Sequence, residues 1–172
     1  MKKMILRTTV SVFVCTCLVL MLFSCVSAEE RAARQAEQAK AVKTALDTRN
    51  YKVSINRMYP MKGGSKTVSY GYCIEVRNDS LISYLPYIGR AYNVPYGGGK
   101  GFNFSAPISN YREQQQKSDK RHIEIDVTNE EDIYHYTLSV FDNGNCSLDV
   151  ESRQRERISY SGEMDFTSRN NH

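Results

Sequence analysis

From Tyr51 to Tyr160 the chain alternates apolar and polar positions with a period of two, the pattern of half-buried strands. Tyr51, Val53 and Ile55 open it, and MKGGS at 61–65 reads as a turn. Val68, Tyr70, Tyr72, Ile74 and Val76 form the longest clean alternation, which Asn78-Asp79-Ser80 then turns. Ile82 and Tyr84 continue the row and, after a segment of different character, so do Phe102 and Phe104. Three more runs follow: Ile123, Ile125 and Val127; Tyr134, Tyr136, Leu138 and Val140; Cys146, Leu148 and Val150. Ile158 and Tyr160 close the pattern. Eight short strands joined by turns, with no helix between them, predict a mainly β fold, an antiparallel meander with one face packed and one wet. It closes as a barrel or folds as a two-layer sandwich.

Turn chemistry sets the register. A loop at Asn129–Asp132 pairs Val127 with Tyr134, Ile125 with Tyr136 and Ile123 with Leu138, all on one face. At Asp142-Asn143-Gly144-Asn145 a two-residue loop would place Leu148 across from Ser139, on the wrong face. A three-residue loop with Gly144 left-handed pairs Val140 with Cys146 and Leu138 with Leu148, so a bulge at Gly144 is expected. The same parity turns Cys146 inward and Cys73 outward with Glu75, which argues against a disulfide between them.

Ahead of the strands the period changes. Residues 27–49 read as a helix, with Ser27 and Glu30 spaced as a capping box and Asn50 as its stop. Its first half is alanine- and charge-rich, a solvated stalk; Val42 and Leu46 give its second half a docking face. Lys2, Lys3 and Arg7 precede the apolar run VSVFVCTCLVLMLFSC, a signal peptide pattern. Leu22-Phe23-Ser24-Cys25 reads as a lipobox with Cys25 as the acylated residue; cleavage after Val26-Ser27-Ala28 is the alternative. The expected organisation is a lipoprotein signal peptide at 1–24, a lipid anchor, stalk and helix at 25–49, an antiparallel β domain at 50–164 and a disordered tail at 165–172. Three of the 23 basic residues lie in the leader and all 19 acidic residues lie beyond it, so the mature chain is nearly neutral and carries no case for nucleic acid.

The segment SYLPYIGRAYNVPYGGGKGFNF, residues 83–104, stands apart. Its Gly97-Gly98-Gly99-Lys100-Gly101 lacks the spacing and the following helix of a phosphate loop. Tyr84, Tyr87, Tyr92 and Tyr96 could line a lip that stacks a sugar or an apolar molecule, with Arg90 and Lys100 as cationic contacts; packing of the same tyrosines over an open barrel end is the more ordinary reading. His122, Glu124 and Asp126 share one strand face at intervals of about 6.6 Å, with His135 opposite Asp126; groups on a flat ladder diverge, so a cross-strand pair fits better than a metal, and no cofactor is expected. Arg153, Arg155 and Arg157 alternate with Glu151 and Glu156 nearby, a solvated stripe. No Gly-x-Ser-x-Gly elbow is present and no nucleophile–base pair is legible, so the expectation is not an enzyme.

Three stretches, ALDTRNYKVSINRMYPMKGGSKTVS, NDSLISYLPYIGRAYNVPYGGGKGFNFSAPISNY and YTLSVFDNGNCSLDVESRQRERISYSGEM, resemble the envelope lipoproteins grouped as domain of unknown function 4251. They span most of 45–164. The resemblance implies a β-rich domain held by lipid at the cell envelope; the expected location is the outer membrane, facing the periplasm or the cell surface. It implies no activity and transfers no catalytic residue. The expected function is a non-enzymatic binding or structural module working through residues 84–104, on a small apolar or glycan ligand or an envelope protein; the alternative is a lipocalin-like carrier.

Overall fold

The computed structural model describes residues 28–69, 71–92, 101–117 and 119–166. Cys25, Ser27, Tyr70, Tyr96, Lys100 and the tail from residue 167 lie outside them. The chain divides into two units, Met1–Glu37 and Gln38–His172. Helix α1 runs over residues 28–47. Its described part in the first unit, 28–37, is exposed throughout, with an Arg34–Glu30 ion pair one turn apart.

The second unit begins with helical residues 38–47. Val42, Ala45 and Leu46 are buried in the core, as the spacing of Val42 and Leu46 predicts. Each large apolar side chain so buried contributes roughly 1.5–3 kcal/mol of transfer free energy. The helix ends at residue 47, short of the expected stop at Asn50: residues 48 and 49 form a turn in which Arg49 takes a left-handed φ of 46°, and Asn50 already belongs to the first strand.

Nine strands follow: β1 (Asn50–Pro60), β2 (Lys66–Thr67), β3 (Cys73–Arg77), β4 (Ser80–Leu85), β5 (Phe102–Lys117), β6 (Lys120–Thr128), β7 (Ile133–Phe141), β8 (Asn145–Ser152) and β9 (Ile158–Asp165). Every pairing is antiparallel, and consecutive strands from β3 to β9 are neighbours. β1 pairs with β3 on one side and β9 on the other, which closes an eight-stranded up-and-down barrel; β2 is the extra strand, beside the end of β1. Closure settles barrel against sandwich. The expected registers are present: Val127 faces Tyr134, Ile125 faces Tyr136, Val140 faces Cys146 and Leu138 faces Leu148. Gly144 has φ +80°, and its N–H donates to Phe141 O at 2.8 Å, closing the three-residue turn. Cys146 faces in and Cys73 faces out with Glu75; both are free thiols.

Closing the ring takes a local irregularity. The β1–β9 register shifts between Ile55 and Arg57, and Gly162 lies opposite Ile55. A Cβ on Gly162 would stand 2.0 Å from Ser54 O, so only glycine lets the two backbones approach there.

Three sequence expectations need correction. The run Val68–Val76 is not one strand: Gly71, at φ +109°, interrupts it, and pairing resumes at Cys73. In β4 the buried row is Leu81, Ser83 and Leu85, while Ile82 and Tyr84 face outward. Finally, β5 continues through SAPISNYREQQQK to Lys117, far past Phe104, because its second half is a polar wall with no apolar alternation to announce it.

Interior side chains occupy the barrel axis. Phe104 stacks on Tyr134 at 4.5 Å between centroids, Phe102 meets Tyr134 edge-on at 5.8 Å, and Tyr134 lies 6.5 Å from Tyr136. Outward positions of β6 carry His122, Glu124 and Asp126, so this wall faces water; a lipid-facing wall would carry an apolar band. No helix among the described residues is long and apolar enough to cross a membrane.

Candidate functional site

The barrel of the second unit has two distinct ends. At one, helical residues 38–47 dock, with Gln38 Nε2 donating to Asn143 O in the β7–β8 turn and Arg121 paired with Asp47. The other end, the mouth, gathers the β1–β2 hairpin, the segment after β4, the β6–β7 turn and the β8–β9 turn.

Residues 86–92 cross this mouth as a strap. Pro86 cannot extend the β4 ladder as a donor, and its carbonyl instead accepts the Tyr160 hydroxyl at 2.7 Å. Tyr87 turns inward, edge-on to Phe102 at 5.2 Å, and its hydroxyl donates to Arg90 O at 2.8 Å. On the far side the strap is held to the β8–β9 turn: Tyr92 N–H donates to Gln154 O, Glu156 N–H to Arg90 O, and Ala91 bridges Arg155. The Glu156 carboxylate also accepts Arg90 N–H at 3.1 Å. Gly101 brings the chain back into β5 in contact with β4; a Cβ there would lie 1.8 Å from Leu85 O.

Beneath the strap is a buried polar layer. Arg155, only 9% exposed, holds its guanidinium 5.3 Å above the Tyr87 ring and 5.1 Å above Phe102, within cation–π range. The Tyr136 hydroxyl donates to Ser83 Oγ, which donates to Phe102 O, so the buried Ser83 is satisfied. Burial pushes the hydroxyls of Tyr136, Tyr160, Tyr87 and Tyr134 upward, so all four stay protonated near neutrality. The Asp132 carboxylate accepts the N–H groups of Ile133, Arg153 and Gln154, tying the β6–β7 turn to the β8–β9 turn.

The residues singled out in the sequence separate. Arg90 and Tyr92 lie exposed on the strap, with Tyr92 at 62%, whereas Tyr87 on the same strap faces the core. Tyr84 projects from the outer wall, stacked on Tyr72 at 5.1 Å. Sequence reasoning passed over Arg155 as one of a solvated stripe; its neighbours Arg153 and Arg157 are exposed, and no local spacing marks the middle one for burial. It also passed over Met61, the most exposed of the described large apolar side chains at 67%.

On the outer wall His135 Nδ1 lies 2.5 Å from Asp126 Oδ1, and Asn110 Nδ2 donates to Asp126 Oδ2. These hydrogen bonds, His135 first, hold the Asp126 carboxyl below its usual range. His122 is 3.6 Å from Glu124, a separate pair, and no group of three or more His, Cys, Asp or Glu among the described residues is placed to hold a metal. Burial pushes the Cys146 thiol up to about 12 and raises that of Cys73, so neither is a thiolate near neutrality. The described mouth therefore offers rings, hydroxyls and charged groups of both signs, groups suited to holding a partner by contact.

No protein with a curated description is detectably similar to the chain. Among solved structures, a 1.95 Å crystal structure of a DUF4251 family protein from Bacteroides eggerthii superposes with a TM-score of 0.61 at 14% identity, covering 77% of this chain and 89% of that one; the likeness is one of fold. The family model for DUF4251, domain of unknown function, matches residues 33–164. The chain, with its closed barrel and N-terminal helix, belongs to the DUF4251 family.

Proposed function

We propose that the protein is a lipid-anchored module of the cell envelope, held to the outer membrane through Cys25, that works by non-enzymatic binding at the barrel mouth. One observation carries the reading. The large apolar side chains left exposed among the described residues, Tyr59, Met61, Tyr84, Ile88, Tyr92 and Ile133, all belong to the mouth or its rim, although a water-facing domain has the whole surface on which to scatter them. Beneath them the Tyr87–Phe102–Arg155 layer gives the strap a rigid base, which lowers the ordering cost of binding. Of the six residues proposed for binding, Arg90 and Tyr92 meet a partner directly and Tyr84 does so at the rim. Tyr87 supports the strap. Tyr96 and Lys100 belong to the same connection but lie outside the described residues.

A lipocalin-like carrier is the weaker reading, since the rings of Phe102, Phe104, Tyr134 and Tyr136 meet one another where a cargo would sit. Two substitutions separate the parts of the proposal. Cys25→Ala should release the protein into a soluble envelope fraction, and persistence on the membrane would remove the anchor from the account. Tyr92→Ala should abolish association at the mouth with melting unchanged; a variant that retains every partner of the wild type would rule out the mouth.

A further inference from the structure

Apart from Arg90, Arg153 and Glu156 along the strap and the β8–β9 turn, the mouth carries charge of both signs, arranged on opposite sides. Between Asp47 and Glu75 the sequence holds Arg49, Lys52, Arg57, Lys62 and Lys66 and no acidic residue. Arg57, Lys62 and Lys66 belong to the β1–β2 hairpin, are exposed, and make no ion pair among the described residues. The hairpin stands clear of the barrel: its turn glycines, Gly63 at φ +92° and Gly64 at φ +71°, have nothing within 4 Å of an added Cβ. Glu130 and Glu131, in the β6–β7 turn, are likewise exposed and make no ion pair among the described residues.

Their placement follows from the strand order. Around a ring of eight strands the β1–β2 hairpin and the β6–β7 turn are four strands apart, on opposite sides of the mouth. The segment after β4 and the β8–β9 turn are also four strands apart, and the strap joins them across the middle. A twofold axis lying along the strap, perpendicular to the barrel axis, therefore exchanges the basic hairpin with the acidic turn and returns the strap to itself.

We propose that a second copy of this chain docks mouth to mouth about this axis. Each hairpin, with Arg57, Lys62 and Lys66, faces the other copy's Glu130 and Glu131, so the charges are satisfied twice. Tyr92 and Ile88, on the strap, meet their own counterparts at the centre. Ile88 and Tyr92, with the exposed Arg90 between them and charge on either side, give the mixed apolar and polar surface that a protein interface uses, and isologous contact requires the self-complementarity of the two charged sides. The alternation of sign also weighs against a bilayer surface or a polyanion, since anionic headgroups would meet Glu130 and Glu131. This inference rests on the mouth being the working surface.

The test is sedimentation velocity on the full chain in mild detergent. The wild type is expected to be a dimer that weakens as salt rises. Lys62→Glu with Lys66→Glu, and separately Glu130→Lys with Glu131→Lys, each set like charges against each other and should weaken dimerisation at least about tenfold. An equimolar mixture of the two variants should restore the dimer, since each hairpin then meets a turn of opposite sign. Tyr92→Ala, which changes no charge, should break it independently. A monomeric wild type, a charge variant that dimerises like the wild type, or folded variants that stay apart when mixed would each overturn the proposal. A monomer that still holds a different molecule at the mouth, lost on Tyr92→Ala, would sink self-association and spare the mouth as the working surface.

Discussion

Replacing Gly162 by Ala should unseat the closure of the barrel. The new Cβ would lie 2.0 Å from Ser54 O, 2.9 Å from Ser54 C and 3.0 Å from Ile55 Cα, all of them backbone atoms. Real Cβ contacts stay beyond 3.0 Å, so β1 and β9 must part by about an ångström at the seam where they join. Overpacking of this kind costs typically 1–3 kcal/mol, and each ladder hydrogen bond lengthened past usefulness adds about 1 kcal/mol. A total of about 2–4 kcal/mol is a large part of the 5–15 kcal/mol that holds an ordinary domain together. It corresponds to a fall in Tm of about 10 °C or more. Urea melts of wild type, Gly162→Ala and the control Gly63→Ala, followed by circular dichroism, measure it. The control puts a Cβ into open space at φ +92° and should lose only about 1 kcal/mol, the left-handed strain. A Gly162→Ala midpoint within about 0.5 kcal/mol of wild type, the scatter of ordinary surface substitutions, would mean that β1 and β9 do not approach as described.

Other perturbations read the mouth and the wall. Tyr87→Ala removes a ring from the Phe102–Arg155 layer and should cost about 2–4 kcal/mol, whereas Tyr87→Phe loses only hydrogen bonding and should cost about 1 kcal/mol; equal melting of the two would contradict an inward Tyr87. Cys146 should resist thiol reagents at pH 8 in the native protein and react on unfolding, because its buried thiol is held near 12; prompt native labelling by mass spectrometry would place it elsewhere. Asp126 has a depressed carboxyl, so its contribution is present above the unfolded value of about 4 and is lost as pH falls through the lower folded value. Asp126→Asn should therefore be slightly less stable than wild type at pH 7, the pair being partly exposed, and the gap should close in acid; a gap that widens in acid would reverse the assignment.

Much of the fold was legible because a period of two leaves little freedom. Once Asn143-Gly144 demanded a left-handed residue, only the three-residue turn kept Leu148 on the side of Leu138, which set β7 against β8, while the loop at Asn129–Asp132 set β6 against β7. Closure was not legible, since the pairing of β1 with β9 joins the two ends of the domain and depends on Gly162 and a register shift that no local pattern announces. β4 was misread because Ser83 looks like a solvent residue; its burial rests on two hydrogen bonds, to Tyr136 and Phe102, made by residues distant in sequence. The mouth was half legible. Its tyrosines marked the strap, but whether Tyr87 or Tyr92 points outward was decided by Arg155, which looks in sequence like any surface arginine.

The proposed function stands or falls on whether this protein holds a partner at the mouth. A non-denaturing mass spectrum of the chain recovered from its native envelope in mild detergent asks that directly, with wild type beside Tyr92→Ala. The account predicts a stoichiometric associated mass, a second copy or a distinct molecule, that is lost in the variant while its melting is unchanged. A bare chain in both spectra, or the same associated mass in both, would contradict it.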